Sequence, residues 1–335
     1  MQKIDLALQG GGAHGAFTWG VIDRLLDEEH IGVEGICGIG AGAMNAVITL
    51  YGWHKGGRNL AKHLLVKFWY KVSLVGQWFM LQPTLIDTII SQGNLSYSPF
   101  YKTFELMTEN FSPAQFNPLN YNPLEKILTE LVDFEELQRL KPQKLFVCAT
   151  NVKTGLPKIF NAEEMTVKSV LASACLPYLF KPIEIDGEYY WGGGYMGNPP
   201  LDPLIKNSPS PHDVLIVQVH PFNIRKIPNN IEEIKDRINE ISFNSALMHE
   251  LKAIKFRNEL LEQGITLNGK LKRVYLHQIL ADQYLQDLNL NLSSKFNVSW
   301  IFLNKLKERG YKACDIWLKE NIDKLGKEDT IKFPF

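Results

Sequence analysis

"ICGIGAGAMNAV", residues 36–47, sets the reading of this chain. A short apolar run enters a glycine-flanked turn, and small residues follow it at helical spacing. That is the outline of a strand, a tight turn and a helix. Gly38 and Gly42 flank an apex at Gly40. In a G-x-S-x-G elbow the outer glycines clear space, so that the central residue sits in a strained turn with its side chain exposed. Here the outline of the elbow survives and its apex carries no side chain. A glycine also adopts such backbone angles at less cost than serine would.

Outward from this stretch, strands and helices alternate. "KIDLAL" (3–8) reads as a buried parallel strand, and "HGAFTWGVIDRLLDE" as a helix with Phe17, Val21, Leu25 and Leu26 on one face. "VEGICG" (33–38) is a second strand, and "GAMNAVITLYG" a second helix. "KLFVCAT" (144–150) and "VLIVQVH" (214–220) are further buried strands, and "TVKSVLASA" (166–174) a helix closed by "CLP". The pattern predicts an α/β fold, a parallel-rich sheet flanked by helices. Residues 53–125 break the rhythm and predict a helical aromatic cap followed by an ordered loop. Its aromatics read either as packing on the sheet or as facing lipid. From 230 the chain turns helical, and Asn230 with Glu233 resembles a capping box. The stripe Ile231, Ile234, Ile238, Ile241, Leu247, Leu251 and Ile254 is expected in the core, as are Trp300, Phe302, Leu303 and Leu306. The domain reading is 1–225 for the α/β unit, with the cap inserted at about 53–125, and 226–335 for a helical region packed on it.

The 335 residues carry 36 basic and 36 acidic side chains, so no global field points to nucleic acid. Cys37, Cys148, Cys175 and Cys314 are scattered and form no CxxC pair, which argues against zinc or a disulfide framework and fits a reducing compartment. The eight histidines are dispersed without an HExxH motif, so no metal is expected. The start, "MQKIDLALQGGG", lacks the features of a signal peptide. The longest uncharged run, 35–53, is rich in glycine and holds Asn45, and reads as a buried turn and helix rather than a bilayer span.

Two glycine clusters could carry chemistry. Gly10, Gly11 and Gly12 follow the first strand, and Gly15 falls in the first turn of the next helix. Backbone N–H groups that converge at a helix start cradle an anion, either a phosphate or the oxyanion of acyl transfer. A dinucleotide would want an acidic residue at the end of the second strand. Glu34 begins that strand, which ends in Cys37-Gly38, so the dinucleotide fits poorly. Gly192-Gly193-Gly194 follows an aromatic strand and precedes "YMGNPPL".

Taken in order, "LALQGGGAHGAFTWGVIDRLL", "GICGIGAGAMNAV", "ATNVKTGLPKIF", "VLASACLPYLF", "IDGEYYWGGGYMGNPPLDPLI" and "RINEISFNSALMHELKAI" resemble the patatin-like phospholipases, particularly their bacterial branch. The resemblance implies cofactor-free hydrolysis of lipid acyl esters by a Ser–Asp dyad. It puts the serine position at Gly40, the aspartate position at Gly192, and the oxyanion hole at Gly10, Gly11, Gly12 and Gly15. Both reactive side chains are then missing, and the chain is expected to be catalytically silent, either as a natural pseudoenzyme or as a disabled enzyme. Of the side chains that could substitute, Cys37, Ser173, His14, Asp186 and Asp202, each fits a structural role better. The implied partner is a lipid or acyl ester, with peripheral membrane contact left open, in a bacterial cytoplasm or at a membrane surface. Lipid binding without cleavage, and an interaction scaffold built on the C-terminal helices, are the alternatives to hydrolysis.

Overall fold

Alternate residues of the central strands enter two separate cores, which is why the sheet is covered on both faces. Ile4, Leu6 and Leu8 belong to one apolar cluster and Ala7 to the other; Leu215 and Val217 divide from Val214 and Ile216 in the same way. The structure is a computed structural model that describes residues 2–78, 82–142, 144–208, 211–224, 226–266, 268 and 271–334. The stretch 79–81 of the expected aromatic cap lies outside the described residues.

In chain order the strands are β1 (Gln2–Leu8), β2 (Ile31–Gly38), β3 (Lys144–Asn151), β4 (Pro157–Phe160), β5 (Ile183–Ile185), β6 (Glu188–Gly192), β7 (His212–Gln218) and β8 (Val274–Leu280). The α-helices are α1 (Gly15–Asp27), α2 (Ala41–Trp78), α3 (Pro99–Asn110), α4 (Pro113–Phe116), α5 (Pro123–Leu131), α6 (Phe134–Leu140), α7 (Val167–Ser173), α8 (Asp202–Asn207), α9 (Ile231–Glu262), α10 (Asp282–Leu285) and α11 (Trp300–Asn321). Among the described residues eight strands make one sheet in the order β5-β6-β3-β2-β1-β7-β8, with β4 paired to β3. The run from β3 to β8 is parallel, and β4, β5 and β6 are antiparallel additions. The expected α/β architecture is therefore the observed one. Strand β8, "VYLHQIL", was not anticipated, because His277 and Gln278 interrupt its apolar run.

Helices α1, α2 and α11 share the first core, which holds Phe17, Trp19, Ile48, Leu303 and Trp317. Helix α2 bends at Gly56 and Gly57, and Gly57 takes φ +78°. Its second half brings Phe68 and Trp69 into that core, so these two aromatics pack rather than face solvent. The segment expected as a loop before α5 contains the short helix α4, opened by a capping box between Ser112 and Gln115. Helices α8 and α9 cover the other face through Leu204, Ile205, Leu247 and Leu251.

One packing expectation fails. Leu247, Leu251 and Ile254 are buried, whereas Ile231, Ile234, Ile238 and Ile241 of the same stripe are exposed. The reason is length. A helix of 32 residues runs about 48 Å, whereas a seven-residue strand such as β7 runs about 23 Å. The first half of α9 overhangs the sheet, so its apolar face has no sheet beneath it. Asn230 accepts the Glu233 N–H, but the Glu233 carboxylate reaches the N–H of Asn229 rather than that of Asn230.

Candidate active site

The site forms where β1, β2, β6 and β7 end on one side of the sheet. In open parallel sheets the crevice beyond the carboxyl ends of the strands is the usual place for a ligand. Leaving β2, the chain turns at Gly40, which takes φ +56°, and enters α2 at Ala41. Its flanking glycines are required by contact. A Cβ on Gly42 would stand 2.5 Å from Leu8 O, and one on Gly38 would stand 2.5 Å from Gly42 O. Gly40 is different, because a Cβ there would meet Gly10 Cα only at 3.7 Å and Ser173 O at 3.9 Å. The apex is therefore open where its neighbours are closed.

Gly192 ends β6 with φ −52° and ψ 139°, angles open to any residue. A Cβ on it would lie 3.3 Å from Ser173 O and 3.2 Å from Cys175 O. A Cβ on either Gly40 or Gly192 would thus lie within 4 Å of the same oxygen, Ser173 O. The Ser173 hydroxyl completes the corner by accepting the Gly40 N–H at 3.0 Å.

The four glycines after β1 divide by role. The Gly10 N–H donates to Asn198 Oδ1 at 2.9 Å, and the Gly15 N–H closes a turn on Gly12 O. A Cβ on Gly10 would press on Ile39 O at 2.9 Å, and one on Gly15 on the Ala41 side chain at 2.5 Å. These two glycines permit close approach of β1 and α1 to the elbow. Among the described residues the N–H groups of Gly11 and Gly12 have no hydrogen-bond partner. They are the two free backbone donors of this glycine run. Asn45 locks the arrangement, donating to Gly15 O at 2.9 Å and accepting the Trp69 indole N–H at 3.1 Å.

The substitutes place as follows. Cys37 is fully buried, and burial pushes its thiol well above the usual range. Burial likewise raises Cys148 and Cys175 to about 12, so all three are protonated at neutral pH and poor nucleophiles. Asp186 sits in the hairpin turn at the far end of β6 from Gly192. Asp202 pairs with Lys206 at 2.7 Å, and the N–H groups at the start of α8 are taken by Glu250 instead. His14 Nε2 lies 2.8 Å from Ser294 Oγ. The Ser294 hydroxyl donates to Asn291 O at 2.6 Å, so His14 donates to Ser294 and is the wrong way round to activate it.

Beneath the glycine turn lies a buried polar network that the sequence reading missed. The Gln9 amide N donates to Asn198 O at 2.9 Å and to Asn244 Oδ1 at 3.0 Å, and its oxygen accepts the N–H groups of Val219 and His220, each at 3.0 Å. Asn244 in turn donates to Pro221 O at 2.9 Å. The one signal in the sequence was a polar residue, Asn244, set in an otherwise apolar helix face.

The family model for patatin-like phospholipase matches residues 6–205, which hold Gly10, Gly11, Gly12, Gly15, Gly40, Ser173 and Gly192. The chain belongs to the patatin-like phospholipase family. Similar solved structures of this fold include VipD from Legionella pneumophila, 16% identical with a TM-score of 0.45, over 95% of this chain and 67% of that one. Another is a chain of the heterodimeric ExoU–SpcU complex from the type III secretion system of Pseudomonas aeruginosa, 15% identical with a TM-score of 0.38. That match covers 96% of this chain and 52% of the other, so the patatin-like chain described here spans about half its length. No curated protein matches the sequence. Among the described residues no helix is long and apolar enough to cross a membrane.

Two buried histidines beside this patatin-like site give it a pH signature. Burial, with Lys295 nearby, pushes His14 down to about 3. Burial also holds His220 well below the usual histidine range, and Lys295 and His14 add to this. In the unfolded chain both titrate near 6.5. Between about pH 6.5 and 3 these two side chains therefore bind more protons in the unfolded chain, and the stability they contribute falls as the pH drops through that window. Each histidine contributes up to about 1.4 kcal/mol per pH unit. Urea unfolding at pH 7, 6 and 5 should show that His14→Gln flattens the dependence; an unaltered slope would disprove the assignment.

Proposed function

We propose that this chain is a lipid-binding, catalytically silent patatin-like protein. In this reading Gly40 and Gly192 hold the nucleophile and base positions of a phospholipase site. The amides of Gly11 and Gly12 keep the capacity to hold an acyl carboxylate or ester oxygen. The observation that carries the reading is the corner at Ser173 O, which both glycines face without a side chain that could attack. A hydroxyl nucleophile and a carboxylate base act as a unit, and losing them removes the covalent route to ester cleavage. Anion binding by convergent amides needs neither group. Exposed apolar side chains on the segments that lead into and out of the site, Leu176, Tyr178, Tyr195 and Met196, suit an acyl chain. Leu85, Ile89 and Leu119 of the cap are also largely exposed and would support peripheral contact with a lipid surface.

The test is two assays on one preparation. The unaltered chain should release 4-nitrophenol from 4-nitrophenyl octanoate no faster than buffer does, and should bind octanoate with saturation in calorimetry. Rapid ester cleavage, or absence of octanoate binding by a folded chain, would overturn the reading. A second reading, an interaction scaffold, draws on the exposed stripe Ile231, Ile234, Ile238 and Ile241. It predicts a partner whose capture is abolished by Ile238→Asp while octanoate binding is kept.

A further inference from the structure

We infer that His220 is a positioning residue that aims the Gly11 amide into the site. This inference rests on the proposed role of that amide as an anion donor.

His220 follows β7 and is 3% exposed. Its Nε2 lies 2.8 Å from Gly10 O. A carbonyl oxygen only accepts, so Nε2 carries the proton and donates. The Gly10 carbonyl and the Gly11 N–H belong to one planar trans peptide and point in opposite directions. Holding the carbonyl on one side therefore directs the N–H to the other. The preceding peptide is held as well, because its Gly10 N–H donates to Asn198 Oδ1. Two consecutive peptide planes are thus gripped from outside the turn, and the free donor of the second is the Gly11 N–H.

The grip is itself braced. The His220 N–H donates to Gln9 Oε1, and the His220 carbonyl accepts from Gln218 at 2.7 Å and Asn244 at 3.3 Å. The Phe243 ring stacks obliquely on the imidazole, with centroids 5.5 Å apart. His220 thereby ties α9 to the glycine turn. A glycine run has no side chains to hold its own shape, so its geometry must come from such external bonds.

The experiment compares His220→Phe, which keeps the ring and removes the donor, with His220→Gln, which restores a donor at similar reach. In the full chain, labelled with nitrogen-15, His220→Phe should move the Gly11 amide resonance without ligand and weaken octanoate binding about tenfold, with His220→Gln near the parent. In the Gly40→Ser, Gly192→Asp double variant, His220→Phe should lower kcat about ten- to a hundredfold, below the 10²–10³ of a deleted oxyanion donor. KM should stay within about twofold, and His220→Gln should restore most of the rate. An unmoved Gly11 resonance with unchanged octanoate affinity in His220→Phe would overturn the inference. So would a folded His220→Gln that behaves like His220→Phe. If the double variant is inert while the resonance and octanoate results hold, the phospholipase reading falls and the role of His220 stands.

Discussion

Gly40→Ser together with Gly192→Asp should convert this chain into an esterase, with kcat/KM for 4-nitrophenyl butyrate rising at least about 10³-fold over the parent; in a serine-protease precedent the nucleophile alone is worth on the order of 10⁶ in kcat. Each single variant stays at the level of the parent, because a serine without a base and a base without a nucleophile each lack half of one unit. The two positions differ in what they ask of the fold. At Gly40 there is room, since a Cβ would have no neighbour nearer than 3.7 Å. Its φ of +56° makes the serine cost about 1–3 kcal/mol in backbone strain. At Gly192 the backbone angles suit aspartate, but its Cβ would lie 3.2 and 3.3 Å from two carbonyl oxygens. A shift of a few tenths of an ångström at the end of α7 relieves that crowding. Thermal melts should therefore show Gly40→Ser as the more destabilising single change. A folded double variant with no turnover would show that the pocket is not a latent hydrolase.

Gly310→Ala should break the fold where no site is involved. Helices α1 and α11 cross so closely that a Cβ on Gly310 would stand 1.9 Å from Phe17 O, and one on Gly20 would stand 1.9 Å from Lys307 O. Both clashes are with helical backbone, so no rotamer change relieves them and the helices must separate. Separation opens the core around Phe17, Trp19 and Leu306. Overpacking of this kind costs typically about 1–3 kcal/mol and can cost more; because the whole crossing shifts here, we expect at least about 3 kcal/mol. At roughly 2–4 °C per kcal/mol for large domains, Tm should fall by at least about 6–12 °C. Gly57→Ala is the control. Gly57 has φ +78° and ψ −171°, a region that only glycine adopts readily, but no atom lies within 4 Å of the added carbon, so only the backbone preference is lost, about 1–3 kcal/mol. Equal melting temperatures for the two variants would refute the crossing.

The order of strands and helices was legible wherever a segment carries its own period. "KIDLAL", "VEGICG", "KLFVCAT" and "VLIVQVH" became β1, β2, β3 and β7, because short, mostly apolar runs suit strands covered on both faces. The elbow was legible for a similar local reason, since Gly38 and Gly42 touch backbone only four or more residues away or on the adjacent strand. Strand β8 was hidden by His277 and Gln278, whose polar groups are satisfied by Asp213 and Gln218 of the neighbouring strand. The isoleucine stripe of α9 was readable as a face but not as a buried one.

The sequence by itself determined the local geometry, namely where the chain turns, which turns require glycine, and that Gly40 and Gly192 offer no side chain to chemistry. Only the tertiary structure decided which amides are free. Gly10, Gly11 and Gly12 are alike in sequence, and Asn198, 188 residues away, occupies the first of them. The buried network beneath the turn joins Gln9 to Asn244 across 235 residues. A hydrogen bond depends on separation in space, and a run of identical glycines carries no record of the partners that the fold brings to it.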